Sequence, residues 1–284
     1  MLAPGIVRIR MGFKRHKELA NGRRSRRDHP SARTSSLKHL QFSWADAISA
    51  TEWKTYRSAV CALRQEGIEF LVGGGFARAA YTGHWRDTKD IDFYVRPEDR
   101  GRAERALSKV GFADYYEKLP YDRAWIYRSH KRNVIVDVIW AMANQRAQVD
   151  EAWFRHAPQL TIRGERLSLV PPEELLWCKL YIIQRDRCDW TDIFNLIHEY
   201  GPQMDWPRLI RRVDEDVPLL KAMLTAYEWL CPANPGKLPS SLSLRLRAAQ
   251  KARPSQPPTH DRVRLLDSRT WFGARAAKNQ KLEI

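Results

Sequence analysis

The segment Val134-Ile135-Val136-Asp137-Val138-Ile139-Trp140 constrains the chain more than any other. An apolar, largely β-branched run of this kind, interrupted by one acid, belongs to a strand covered on both faces, which requires a sheet with material packed above and below it. Its single acid, Asp137, has Ile135 and Ile139 as same-face neighbours, because side chains alternate along a strand. A carboxylate so sheltered costs several kcal/mol unless it is paired. Two partners satisfy it: an arginine, or a metal ion shared with other acids.

Other acids are available. Asp90-Ile91-Asp92-Phe93-Tyr94-Val95 alternates as a strand, so Asp90 and Asp92 project from one face while Ile91 and Phe93 face the other. Two like charges this close raise each other's pKa. Either the face is solvated, or a cation with a preference for hard oxygen ligands, such as magnesium, lies between them. Upstream, 69–72 reads as a short strand running into Gly73-Gly74-Gly75, and 76–81 reads as a helix ended by Gly83. Glycines between a strand and a helix let backbone N–H groups approach a phosphate. Gly-Lys-Ser/Thr does not follow, and the pattern is not Gly-x-Gly-x-x-Gly.

The remaining periodicity predicts helices over 44–64 and 97–110, strands over 124–128 and 134–140 joined by a turn at 129–133, and another strand at 167–170. After Pro171-Pro172 only helices are expected, at 173–185, 190–199, 206–213 and 217–230, with a short basic helix at 262–277. Strands with helices followed by helices alone imply a mixed α/β (α+β) fold with a helical appendage. The expected domains are a basic, disordered arm at 1–40, a catalytic domain at 41–170, a helical subdomain at 171–235 and a basic Pro/Ser-rich tail at 236–284.

Charge follows the same division. The net +16 resolves into +9 over residues 1–40, +8 over 237–284 and −1 over 41–236. Basic ends of this kind attract polyanions by counterion release. The Arg- and Ser-rich, acid-poor start is equally compatible with a transit peptide. Four cysteines without paired spacing read as free thiols in a reducing, cytoplasmic setting, and no apolar run is long enough for a membrane span. No Gly-x-Ser-x-Gly elbow, Cys–His pairing or spaced histidine motif suggests another chemistry. Trp125, Trp140, Trp153 and Trp177 read as core, and Trp85 as a residue able to contact a nucleobase.

Leu71-Val72-Gly73-Gly74-Gly75-Phe76-Ala77, then Arg86-Asp87-Thr88-Lys89-Asp90-Ile91-Asp92-Phe93, resembles the Gly-Gly-x-Ala … Arg-x-Thr-x-Asp-Ile-Asp pattern of the nucleotidyltransferase superfamily. That is the polymerase-beta-like fold shared with antibiotic nucleotidyltransferases. Pro172-Glu173-Glu174-Leu175-Leu176-Trp177-Cys178-Lys179, with Arg185, Asp189 and Asp192 beyond it, is similar to the segment after the catalytic sheet in AbiEii-like toxins. The resemblance implies a transferase that moves an NMP from an NTP, ATP among them, to a hydroxyl. Asp90, Asp92 and Asp137 would hold two Mg2+ ions, Gly74 and Gly75 would cradle the triphosphate, Arg86 and Thr88 would flank it, and Lys179 would meet its phosphates. Asp192 would orient Lys179 or the acceptor, or would be a solvated helix acid, and Arg185 and Arg187 are open in the same way between a site role and a solvated position. The implied partners are a tRNA or other RNA acceptor held by the basic ends, and an antitoxin protein. The alternative is a non-catalytic nucleic-acid-binding module that keeps the same fold.

Overall fold

A computed structural model describes residues 42–86, 88, 90–184, 187–232, 235–251 and 265–266. The basic arm, the helix expected at 262–277, Asp87, Lys89 and Arg185 therefore lie wholly or almost wholly outside the described residues.

The chain enters through a 3-10 helix at Phe42–Ala47 and then α1 (Ala50–Gln65). The sequence reads these as one helix; the break falls where Ser49 caps α1, its hydroxyl accepting from the Glu52 N–H while the Glu52 carboxylate accepts from the Ser49 N–H. β1 (Leu71–Val72) leads to α2 (Gly74–Thr82) and then β2 (Asp90–Tyr94). α3 (Arg100–Lys109), β3 (Ala113–Asp114), β4 (Ile126–Lys131) and β5 (Val134–Ile139) follow. Next come α4 (Glu151–His156) and a separate hairpin of β6 (Gln159–Ile162) and β7 (Glu165–Ser168).

The main sheet has the order β1-β2-β5-β4-β3. β2 and β5 run parallel at its centre, and the other pairs are antiparallel. Ile91, Phe93, Val136 and Val138 are fully buried on the face covered by α1 and α3. The opposite face carries Asp90, Asp92, Tyr94, Asp137 and Ile139. The fold is thus the mixed α/β arrangement expected, with Asp137 on a strand flanked on both sides.

Beyond Pro171 the main elements are helical: α5 (Pro172–Leu180), α6 (Trp190–Tyr200), α7 (Trp206–Val213), α8 (Val217–Leu230) and α9 (Leu242–Lys251). α5 ends at Leu180, not at the expected 185, and Ile183 and Cys188 form a bridge in the connection to α6. α9 lies within the stretch expected as a tail; Leu242 and Leu246 are buried on it. α2 packs on α6, where the rings of Tyr81 and Tyr200 sit 5.1 Å apart.

An ion cluster fixes α5. Glu173 and Glu174 are fully buried. Arg208 of α7 pairs with both, at 3.1 Å from Glu173, and Arg212 reaches Glu174 at 3.2 Å and Asp150 at 2.5 Å. Since Asp150 caps α4, one network ties α5, α7 and the end of the sheet domain together. No helix among the described residues is long and apolar enough to cross a membrane.

Candidate active site

Register builds the acidic centre. β2 and β5 pair Asp90 with Ile135 and Asp92 with Asp137, so Asp92 and Asp137 are direct neighbours on parallel strands. Asp90 stands two residues back on the same face. The three carboxylates each offer an oxygen, all within 4.8 Å of one another.

The glycine turn abuts them. Gly74 opens α2 with φ of +50°, and a β-carbon there would fall 1.6 Å from Asp92 Oδ2. Only glycine permits both the left-handed backbone and this approach. A β-carbon on Gly75 would press Thr88 Cγ2 at 3.3 Å. The Thr88 hydroxyl in turn donates to Asp90 Oδ1, so Thr88 supports the acidic strand directly. The first N–H groups of α2 have no intrahelical partner by construction and lie at the same wall as the carboxylates.

Of the two partners its sequence context allowed, Asp137 has the arginine, and it adjoins the two acids with which it could share a metal. Arg128, opposite it on β4, donates from Nε to Oδ1 at 2.8 Å and from Nη2 to Oδ2 at 2.6 Å. Asp137 is thus the acid of a structural ion pair and a member of the acidic triad at once. Burial pushes the Asp137 carboxyl above its ordinary pKa, against the Arg128 guanidinium. Asp92 is raised well above the ordinary range by burial, then by Asp90 and Asp137. Arg128 is the one cation ion-paired to the three acids among the described residues. A divalent cation bound by hard oxygens fits the charge that remains, and the spacing of the donors suits it.

Lys179, 8% exposed, reaches the same cavity from α5. Its ammonium donates to Asp189 Oδ2 at 2.6 Å and Asp192 Oδ2 at 2.8 Å. Asp192 is 3% exposed, so it is not the solvated acid that the sequence left open. It gathers Lys179, Arg78 at 2.9 Å and Arg86 at 3.2 Å. Burial alone would raise Asp189, but Arg187 and Lys179 outweigh it and hold the carboxyl at about 2.

The cavity, about 540 Å³, is lined by all eight residues singled out from sequence: Gly74, Gly75, Arg86, Thr88, Asp90, Asp92, Asp137 and Lys179. Sequence reasoning missed Arg128 and left Arg187 open; both line the cavity, and Trp125, which packs against the core as expected, also lines it beside Ile126, Ile139 and Met142. Trp85 corrects a further expectation. Its ring stacks on Trp44 at 5.6 Å and meets Phe76 edge-on, so it packs against the core and is absent from the cavity wall.

Fold and site together describe a mixed α/β protein whose cavity carries an acidic triad able to hold a divalent metal. The chain belongs to the nucleotidyltransferase superfamily: the model of a family described as uncharacterised nucleotidyltransferase matches residues 30–230. Among solved structures it is similar to the antibiotic-resistance factor ANT(2'')-Ia, at 17% identity over 83% of this chain and 98% of that one, with a TM-score of 0.38. The lincosamide antibiotic adenylyltransferase LnuA is similar at 15% identity over 52% and 96% of the two chains, with a TM-score of 0.38. JHP933 from Helicobacter pylori is similar at 12% identity over 84% and 100%, with a TM-score of 0.36. No curated protein matches the chain in sequence.

Proposed function

We propose that the protein is a magnesium-dependent transferase that moves a nucleoside monophosphate from a nucleoside triphosphate to an acceptor hydroxyl, releasing pyrophosphate. The observation that carries this reading is the convergence of Asp90, Asp92 and Asp137 within 4.8 Å beneath the Gly74 turn. These three residues would hold two magnesium ions. Bound there, the ions supply charge neutralisation for the phosphates and a lowered pKa for the acceptor hydroxyl.

The chain's own groups divide the remaining work. The N–H groups of Gly74 and Gly75, at the positive end of α2, donate to phosphate oxygens. An ammonium has three donors, and Lys179 commits two to Asp189 and Asp192, leaving the third for a phosphate. Arg86, anchored on Asp192, adds a second cation at the cavity. Thr88 fixes the rotamer of Asp90, and Arg128 fixes that of Asp137. Asp137 would take the acceptor proton. The apolar wall of Trp125, Ile126, Ile139 and Met142 receives the uncharged part of a substrate. A toxin role and an antitoxin partner rest on the sequence resemblance alone.

The test is pyrophosphate release from each of the four nucleoside triphosphates with magnesium and total RNA. Asp90→Asn and Asp92→Asn should each lower the rate by roughly two to three orders of magnitude, and chelation should abolish it. Wild-type rates in either variant would refute the reading.

A further inference from the structure

The catalytic face of the sheet continues past the cavity. Register sets Asp92, Asp137 and Arg128 side by side in one row, and Asp90, Ile135 and His130 in the next. Ala113 of β3 extends the second row to the sheet edge. There the ring of Tyr115 meets His130 edge-on, with centroids 5.7 Å apart and planes at 87°. Arg128 and Lys118 stand 6.0 Å and 5.8 Å from the same ring. The Lys118 ammonium also lies 3.3 Å from His130 Nδ1. Tyr115 is therefore one residue removed from the triad: its ring neighbours Arg128, which holds Asp137.

The surface around Tyr115 keeps this character. Tyr116 is 42% exposed, with the Arg123 guanidinium 4.3 Å from its ring centre and the ring of Tyr121 5.7 Å away. Trp125 then carries the segment back to the cavity wall. Residues 115–132 hold five Lys or Arg and two acids, Glu117 and Asp122. Lys118 and Arg132 are exposed. Tyr115, Tyr116, Tyr121 and Lys118 all lie outside the cavity wall.

Cations interleaved with aromatic rings suit one ligand chemistry above others. Unstacked bases lie on aromatic rings whatever their sequence, while cations follow the phosphates between them. An acidic peptide would use the cations and leave the rings idle. A duplex would offer phosphates but no open base faces. We propose that residues 115–132 form a platform for a single-stranded polynucleotide, which runs along the β3 edge and delivers its end to the cavity as the acceptor. Its role as acceptor rests on the transfer reading above; its binding does not.

Binding is therefore measured without nucleotide and with a chelator present. The full chain is titrated into a labelled oligoadenylate of about 12 nucleotides, within the site sizes usual for such grooves, and anisotropy is followed across salt concentrations. Tyr115→Ala should weaken binding about tenfold, the scale of one lost stacking contact, while Tyr115→Phe binds as wild type. Lys118→Ala should weaken binding and reduce the salt slope by about one. Thermal melting of each variant checks that the fold is intact.

Wild-type affinity in both Tyr115→Ala and Lys118→Ala would overturn the platform, since the basic ends would then account for all binding. So would a duplex that binds as tightly as the single strand, or polyglutamate that displaces it more effectively. If Tyr115→Ala loses binding but no nucleotide is ever transferred, the platform stands and the transferase reading falls. If transfer to small hydroxyl compounds proceeds and Tyr115→Ala binds RNA as wild type, the reverse holds.

Discussion

Asp189 shows how one residue couples the site to stability. Its carboxyl is held at about 2 in the folded protein, against about 4 in an unfolded chain. A depressed folded pKa contributes stability that is full above the unfolded value and is lost as pH falls through the folded one. The difference is worth about 2 kcal/mol, so Asp189→Asn should be less stable than wild type near pH 7 by about that amount. The gap should close between about pH 4 and pH 2, as read by urea denaturation at a series of pH values. The acids of this site were legible because their chemistry is local: Asp-x-Asp fixes a shared face, and an acid inside an apolar strand requires a partner. Arg128 was not, because its role depends on register. A five-residue turn at 129–133 sets Arg128 against Val134, whereas the actual two-residue turn at Arg132 and Asn133 pairs Lys131 with Val134 and so Arg128 with Asp137. Arg132 adopts φ of +57°, unusual for arginine, and nothing in its identity announces a tight turn.

At the scale of elements, α5 is the lever that brings Lys179 to the cavity, and its buried acids set its position. Glu174→Ala would leave Arg208 and Arg212 facing an empty, buried position, and breaking such a cluster costs roughly 3–5 kcal/mol. We expect a matching loss in chemical denaturation and a raised KM for nucleoside triphosphate. Glu174→Gln should retain more of both, because it can still accept hydrogen bonds. The helices at 206–213 and 217–230 were read to the residue, since proline stands at the second position of each and their apolar spacing is regular. α4, β3 and β6 were missed. Each is two to six residues long, too short for a period to declare itself, and each is held by tertiary contacts. The end of α5 at Leu180 was missed for a different reason. Lys179 bonds both Asp189 and Asp192, and the chain leaves the helix after Leu180, with Ile183 and Cys188 bridged, to bring them back to it.

For the molecule as a whole, all eight cavity residues read from sequence lie between 74 and 179, inside the near-neutral stretch 41–236. The parallel pairing of β2 with β5 has a consequence in time. β4 and β5 form a hairpin with a two-residue turn, so Arg128 and Asp137 meet through local closure. Asp92 is 45 positions from Asp137, and β2 can dock only after α3, β3 and β4 have been accommodated in the connection between them. Contacts of such separation form late, because loop closure must precede any gain from them. During refolding Asp137 is therefore partnered by Arg128 before the other two acids arrive. Stopped-flow refolding should show terbium luminescence, reporting cation capture at the triad, only in the final kinetic phase, after the helical signal has largely recovered. In Arg128→Met, an unpaired Asp137 should slow that last phase.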